Sequence, residues 1–190
     1  MGSWDLHDIG FKNGPMYLML EEENDPLITL EEQPNAVKIL SWNVRGLGRS
    51  RTVKRLKNKL RAINPRILFF METKLSSKWM EAVRLKCGFE NVIDIGALGS
   101  KGGLSLGWKG NSLIRLKSFS SFHINVEVCD NECDAFWRLM GFYGNPDERS
   151  RVESWELLRR LNHDQTTPWV VLGDFNEITN SFEKKKKVVV

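Results

Sequence analysis

Short apolar runs of strand length recur along the chain from residue 37 onward. Three of them, Val37–Trp42, Ile67–Met71 and Trp169–Leu172, are largely apolar, which is typical of strands that are buried on both faces. Five further runs between them are bounded by Gly, Asn, Ser or Asp, and we predict that these are also strands. They are Val92–Ile95, Gly103–Trp108, Ser112–Ser118, His123–Val128 and Phe136–Phe142.

Three other segments have apolar residues at helical spacing and charged residues on the opposite side. The predicted helices are Arg51–Ile63, Ser77–Cys87 and Asp147–Leu161. Ser50 is a candidate N-cap for the first helix, Pro65 stops it, and Gly88 suits a left-handed position after the second helix. Strand–helix–strand units at both ends, with antiparallel-looking strands in the middle, predict a layered α/β sandwich.

Length and composition exclude several classes of protein. The chain has 190 residues, 41% hydrophobic and 27% charged, which suits one globular domain. No apolar run approaches the roughly 20 residues that cross a bilayer, and no secretory signal is present, so we expect an intracellular protein without a membrane partner. Cys129 and Cys133, with His123 nearby, lack the second ligand pair of a zinc site, and we expect ordinary thiols.

Charge is distributed very unevenly along the chain. Residues 1–32 carry eight acids and one base, residues 33–71 carry ten bases and no acid, and the other 119 residues carry 17 bases and 16 acids, which gives the net +4. We expect an acidic, flexible leader (1–36), a folded domain (37–182), and a basic and apolar tail (183–190). The basic run indicates either a local electrostatic footprint or a solvated helix face.

Polar side chains follow the three most apolar strands at the points where those strands end. Asn43 and Glu72 follow the first two strands, and Asp174 and Asn176 follow the last. Each residue alone is more often a turn former or a helix cap. Together, at the ends of strands in an α/β protein, they indicate a metal or phosphate site, and their oxygen atoms suit Mg²⁺ or Mn²⁺.

These residues stand in recognisable motifs. Ser41-Trp42-Asn43, Met71-Glu72-Thr73 and Leu172–Asn176 resemble, in order and spacing, the motifs of the endonuclease/exonuclease/phosphatase superfamily. Gly141–Gly144 resembles the family's tyrosine-containing strand, and Gly102-Gly103-Leu104 its glycine-rich strand. The longer stretch Trp42–Gly48 is similar to the endonuclease domain of plant LINE-type (non-LTR) retrotransposons. The resemblance covers residues 37–182.

The resemblance implies a four-layer α/β sandwich that hydrolyses phosphodiester bonds with Mg²⁺ or Mn²⁺ and with no small-molecule cofactor. Asn43 and Glu72 would hold the metal. Asp174 would orient or deprotonate the attacking water, and Asn176 would bind the scissile phosphate. The hydroxyl of Tyr143 would contact a phosphate oxygen, although a core aromatic on a strand is an equal alternative for this residue.

The loop after Asn43 carries the residues that we expect to bind nucleic acid. Arg45, Arg49 and Arg51 lie beside the implied phosphate site, where a weak, electrostatic contact with a DNA backbone is expected. The lysines of the following helix are better explained as a solvated face. A DNA partner and the run Lys184–Lys187 together predict a nuclear location.

One part of the family pattern is missing from this chain. The resemblance implies a Ser-Asp-His motif from the second half of the fold, and none of His7, His123 or His163 follows Ser-Asp. We therefore expect a truncated and inactive DNA endonuclease of a LINE-type element. Two alternatives stay open: a non-enzymatic remnant that binds nucleic acid, and another phosphoesterase branch, such as a phosphoinositide phosphatase or an RNA deadenylase.

Overall fold

A computed structural model of the chain describes residues 37–98, 102–110, 113–130, 135–147, 149, 151–162 and 167–176. The predicted leader (1–36) and tail (183–190) lie outside these residues. The described residues form eight strands and three helices. In chain order these are β1 (Ile39–Asn43), α1 (Ser50–Ile63), β2 (Ile67–Met71), α2 (Ser77–Lys86), β3 (Asn91–Ile95), β4 (Leu104–Trp108), β5 (Leu113–Ser120), β6 (His123–Asp130), β7 (Ala135–Tyr143), α3 (Arg151–Asn162) and β8 (Trp169–Asp174).

The strands form two four-stranded sheets. The first has the order β1-β2-β4-β3, with β1 parallel to β2 and β4 antiparallel to both of its neighbours. The second has the order β5-β6-β7-β8, with antiparallel pairs except for the parallel pair β7 and β8. Each sheet therefore has a parallel pair at one side, and these two pairs supply the candidate site.

Three apolar clusters define the layers. The largest lies between the sheets, and β2 contributes Phe69 and Met71 to it while β6 contributes Ile124 and Val126. A second cluster joins α1 and α2 to the outer face of the first sheet, and a third joins α3 to the outer face of the second sheet. The predicted four-layer α/β sandwich is therefore confirmed. Each fully buried side chain of this size contributes about 1.5–3 kcal/mol through removal of apolar surface from water.

Helix α1 shows how local sequence sets an element's end. Its C-cap, Asn64, adopts the left-handed conformation with φ 48°, and its N–H donates to the carbonyl of Leu60 at 2.9 Å. The next residue, Pro65, has no N–H to continue the helix. The prediction of Ser50 as the N-cap is wrong by one residue, because Arg49 holds the extended N-cap conformation and Ser50 is the first helical residue.

Helix α3 begins at Arg151, four residues later than predicted. The reason is two successive side-chain turns: the side chain of Asn145 accepts from the N–H of Asp147 at 3.0 Å, and the side chain of Asp147 accepts from the N–H of Arg149 at 3.1 Å. Such turns compete with the helix for backbone N–H groups. None of the helices among the described residues is long and apolar enough to span a membrane.

Candidate active site

The register of the two parallel strand pairs brings four of the predicted site residues to one end of the sandwich. Asn43 ends β1 opposite Met71, the last residue of β2, so Glu72 follows directly beside it. In the other sheet, Tyr143 ends β7 opposite Asp174, the last residue of β8. Carboxyl ends of parallel strands meet at one edge, and here the edges of both sheets meet.

Asn43 links the two carboxylates across the gap between the sheets. Its amide nitrogen Nδ2 donates to Glu72 Oε1 at 3.1 Å and to Asp174 Oδ2 at 3.0 Å. Its amide oxygen Oδ1 accepts from the backbone N–H of Arg45 at 3.2 Å, which fixes the orientation of the amide. The predicted convergence of these three polar residues is therefore observed, with the nitrogen of Asn43 facing the acidic pair.

Glu72 is the most heavily hydrogen-bonded carboxylate of the site. The hydroxyl of Tyr143 donates to Glu72 Oε1 at 2.8 Å, and the ammonium of Lys74 lies 3.3 Å from Glu72 Oε2. Tyr143 is buried among the apolar residues between the sheets, yet its hydroxyl reaches the carboxylate. The ring of Tyr143 packs in the core, and its hydroxyl bonds to Glu72; the contact with a phosphate oxygen stays a prediction.

Asp174 and Asn176 are held by their own short loop. The N–H of Asp174 donates to the sulfur of Met71 at 3.1 Å, and the N–H of Asn176 donates to Asp174 Oδ1 at 3.0 Å. The amide nitrogen of Asn176 donates to the carbonyl oxygen of Gly144 at 2.7 Å. These bonds leave each oxygen of Asp174 with one neutral donor, Asn176 on Oδ1 and Asn43 on Oδ2.

Left-handed backbone is concentrated in this region. Five described non-glycine residues have positive φ, and only Asn64 among them is a helix cap. The others are Arg45 (48°), Glu72 (51°), Lys74 (54°) and Asn176 (52°). A non-glycine side chain in this conformation costs about 1–2 kcal/mol, and such strain is found preferentially where function requires a fixed geometry.

Burial and hydrogen bonding shift two pKa values in opposite directions. Burial alone raises the pKa of Glu72, but hydrogen bonds from Asn43, Tyr143 and Lys74 and the charge of Lys74 outweigh it, so the pKa lies below the ordinary 4.5. Burial, followed by the hydrogen bond to Glu72 and its charge, raises the pKa of Tyr143 well above the ordinary 10. Glu72 is therefore an ionised acceptor and Tyr143 a neutral donor at neutral pH.

Replacement of Tyr143 by Phe is expected to raise the pKa of Glu72, because one donor to the ionised carboxylate is lost while the ring keeps its packing. A depressed carboxyl pKa adds stability that is present above about pH 4.5 and is lost as the pH falls through the folded-state value. Between pH 4.5 and the folded-state pKa of Glu72, the variant should therefore lose less stability on acidification than the parent protein does. A carboxyl ¹³C titration by NMR measures the pKa, and an unchanged value for Glu72 would contradict this account.

The donor set suits a hard divalent cation. Among the described residues no group of three or more His, Cys, Asp or Glu side chains converges. The site instead offers the two carboxylates Glu72 and Asp174, joined by an amide. Mg²⁺ typically uses one or two carboxylates and takes its other ligands from water and substrate phosphates, so these residues fit such an ion.

The arginines expected to bind nucleic acid lie at the entrance to helix α1. Arg45, Arg49 and Arg51 are all exposed, and Arg45 is tied to the site through its backbone bond to Asn43. Lys74 was not among the predicted site residues. Its position two residues after Glu72 was visible in the sequence, but the two left-handed residues that bring its ammonium back to the carboxylate were not.

The sequence over most of the chain matches one family. Residues 40–186 match the profile of the Endonuclease/Exonuclease/phosphatase family, a range that contains every residue of the site. The chain belongs to this family. No curated protein matched the chain.

Several solved structures have a similar fold. A 3′ phosphatase from Neisseria, bound to a product DNA hairpin, matches with a TM-score of 0.57 at 18% identity, covering 77% of this chain and 60% of its own. The catalytic domain of human Nocturnin, bound to sulfate, matches with a TM-score of 0.56 at 15% identity, covering 78% of this chain and 68% of its own. An AP endonuclease from Archaeoglobus fulgidus matches with a TM-score of 0.55 at 16% identity, covering 77% of this chain and 60% of its own.

These likenesses establish the fold and place the chain within it. At 15–18% identity they concern the arrangement of the sheets and helices. The chain spans 60% of the length of the Neisseria phosphatase and of the archaeal endonuclease. The described residues supply both sheets and the ends of β1, β2, β7 and β8 that carry the site.

Proposed function

We propose that this chain carries the cation-binding half of a divalent-metal-dependent phosphodiesterase that acts on DNA. The observation that carries the proposal is the convergence of Glu72 and Asp174 on the amide of Asn43, at 3.1 and 3.0 Å, from two different sheets. Asn43 and Asp174 each accept a bond from their own loop, as turn formers do, but their side chains also bond to each other across 131 residues of sequence. Paired carboxylates in this position suit the hydrolysis of a phosphodiester.

Each residue has a distinct role in the proposal. Glu72 is the principal ligand of the ion, and Asn43 would hold the ion together with it. In the structure the Nδ2 of Asn43 bridges Glu72 and Asp174. Asp174, accepting single bonds from two neutral amides, orients or deprotonates the attacking water. Asn176, whose amide nitrogen also donates to Gly144, and the hydroxyl of Tyr143, which donates to Glu72, would contact the phosphate of the substrate.

The bound ion would neutralise charge on the phosphate and lower the pKa of a coordinated water. The protein's own contribution is preorganisation. Tyr143 and Asn43 hold Glu72 Oε1 in place, Met71 and Asn176 fix the loop of Asp174, and the strained backbone keeps these side chains converged. Donors fixed before reaction need no reorganisation when charge develops in the transition state.

A metal titration tests the site directly. Mn²⁺, a spectroscopic substitute for Mg²⁺, should bind the full chain and raise its melting temperature. Glu72→Gln should weaken binding at least about tenfold, because a charged ligand becomes neutral without change of shape. Glu156→Gln, the same substitution at an exposed position of α3, is the control and should bind as the parent does. Equal Mn²⁺ affinity in all three proteins would refute the site.

DNA is the substrate that the surrounding charge favours. The Neisseria phosphatase was solved with a product DNA hairpin, which supports DNA as the substrate class. In this chain residues 33–71 contain ten bases and no acid, and Arg45, Arg49 and Arg51 are exposed where that segment leaves the site. We expect weak binding that is dominated by phosphate contacts.

Replacement of Arg45, Arg49 and Arg51 together by Gln should weaken DNA binding and flatten its salt dependence. Each phosphate contact that is lost reduces the slope of log K against log salt by about 0.9. Fluorescence anisotropy with a labelled duplex, measured at several salt concentrations, gives both quantities. Arg61, an exposed arginine in the last turn of α1, provides the control. Arg61→Gln should change the slope by less than one third of the change that the triple variant causes. Equal slopes for the parent and the triple variant would rule out this surface.

The more specific proposal is that this chain derives from an endonuclease that nicks target DNA for a LINE-type retrotransposon, and that the chain itself is inactive. It is supported by the stretch Trp42–Gly48, whose arginine-containing loop resembles that of plant elements, and a DNA target together with Lys184–Lys187 supports a nuclear location. The fold itself is shared with a phosphatase and with the Nocturnin catalytic domain. Competition between duplex DNA, RNA of the same sequence and a soluble inositol phosphate separates the branches, and preference for either of the last two would favour another branch.

A further inference from the structure

The ammonium of Lys74 lies beside Oε2 of Glu72, the carboxylate oxygen that an incoming cation would bind. Glu72 Oε1 already accepts from Asn43 at 3.1 Å and from Tyr143 at 2.8 Å. The other oxygen, Oε2, lies 3.3 Å from the ammonium of Lys74. Because Oε1 is filled by two neutral donors, a divalent ion bound to this carboxylate has to use Oε2 and meets the lysine there.

The position of Lys74 is built into the fold. Its N–H donates to the carbonyl oxygen of Gly102 at 3.0 Å, which ties the residue to the loop before β4. Its backbone is left-handed, with φ 54°, two residues after Glu72 in the same conformation. Its side chain passes Gly46, where an added Cβ would lie 3.6 Å from Lys74 Cδ. The loops on both sides therefore direct the ammonium at the carboxylate.

We propose that the ammonium of Lys74 takes the place of the divalent cation beside Glu72 Oε2 when no ion is bound, and that cation binding displaces this ammonium. The inference rests on the proposed function of the site. The side chain is 40% exposed, so the ammonium can move into water on its flexible stem once it is displaced. With no ion bound, the positive charge of Lys74 offsets the repulsion between Glu72 and Asp174. With an ion bound, the same charge repels the ion and weakens its binding.

The prediction that follows is unusual for a residue beside a metal site, because removal of Lys74 should improve metal binding. Mn²⁺ is titrated into the full chain, and free Mn²⁺ is followed by its electron paramagnetic resonance signal. Lys74→Met, which keeps the length of the stem and its backbone preference, should lower the Kd for Mn²⁺ about tenfold, since a cation no longer has to be displaced. Lys74→Arg keeps the charge and should stay within about threefold of the parent.

Further variants separate the possible outcomes. Lys54→Met, on the exposed face of α1, controls for the change in net charge and should leave the Kd unchanged. Lys74→Gln is a second neutral variant, to be used if the Met variant misfolds by circular dichroism. An unchanged or weaker Kd in the neutral variants overturns the inference. Loss of Mn²⁺ binding in Glu72→Gln together with no gain in Lys74→Met would overturn only this inference, whereas Mn²⁺ binding that ignores Glu72 would overturn the proposed site.

A measurement on the unmodified chain gives an independent check. Addition of Mg²⁺ should shift the ¹³Cε resonance of Lys74 and the carboxyl resonance of Glu72 with the same apparent Kd, because one event moves both groups. A Glu72 resonance that titrates while Lys74 does not respond would show that the ammonium stays where it is, and would overturn the displacement.

Discussion

Supercoiled plasmid incubated with this chain and Mg²⁺ should remain un-nicked. The site provides carboxylates for an ion and a candidate base in Asp174, but hydrolysis also needs a group that manages charge on the attacked phosphate. Family resemblance assigns that task to an Asp-His pair, and this sequence contains no Ser-Asp-His. Loss of one such partner costs about 10²–10⁴-fold in rate, which places the activity below detection in an ordinary plasmid assay.

His123, the histidine within the described residues, cannot replace the missing one. Its ring nitrogens bond to Ser118 at 3.1 Å and to Ser120 at 2.8 Å, and it is 4% exposed. Its neighbour Ile124 faces the core between the sheets, so His123 lies on the opposite face of the second sheet from the site. Burial, with a smaller effect of Arg160, lowers its pKa to about 4, so it is neutral at pH 7.

The plasmid experiment has a sharp control in Glu72→Ala. Contaminating nucleases from the expression host do not depend on a residue of this chain, so their nicking is identical in the parent and the variant. Metal-dependent nicking that is present in the parent and absent in Glu72→Ala would contradict the prediction, and would show that the described half of the fold assembles a working site. DNA binding without nicking is the expected result.

Much of this fold could be predicted because apolar runs report burial directly. Ile67–Met71 was predicted as a buried strand, and β2 has these bounds with all five residues buried. Strand β8 was predicted to end at Leu172 but continues through Gly173 to Asp174, because the parallel ladder with β7 extends to the pair Tyr143 and Asp174. A polar residue at a strand end therefore belongs to the ladder when its partner strand continues beside it.

The site was predictable in its membership but not in its contacts. Strand-end position and motif selected Asn43, Glu72 and Asp174, and topology then brings them together. No sequence pattern indicated which atom of Asn43 would face the carboxylates, since that depends on the N–H of Arg45 in a left-handed loop. The bond from Asp174 to Met71, between residues 103 positions apart, likewise depends on how the two sheets stack. Such contacts follow from tertiary geometry that local periodicity does not contain.

The residue before Asp174 shows how closely β7 and β8 are fitted to each other. Gly173 has φ 144°, which glycine adopts readily and other residues rarely do. A Cβ at this position would overlap the backbone carbonyl oxygen of Phe142, its partner on β7. The obstacle is the backbone of a paired strand, so no side-chain rotation can relieve it. Gly110 provides the comparison, because it also has positive φ, 76°, but nothing lies within 4 Å of its added Cβ.

Gly173→Ala should therefore be among the most damaging single substitutions in the described residues, with a loss of about 3–5 kcal/mol from backbone strain and overpacking together. Gly110→Ala should lose about 1–2 kcal/mol, the conformational cost alone. Against a typical total of about 5–15 kcal/mol, the first loss is enough to leave much of the protein unfolded at 37 °C. Urea unfolding followed by tryptophan fluorescence measures both variants under identical conditions. Equal losses in the two would mean that β7 and β8 separate at little cost, and that Asp174 is not held at the site by the ladder that we describe.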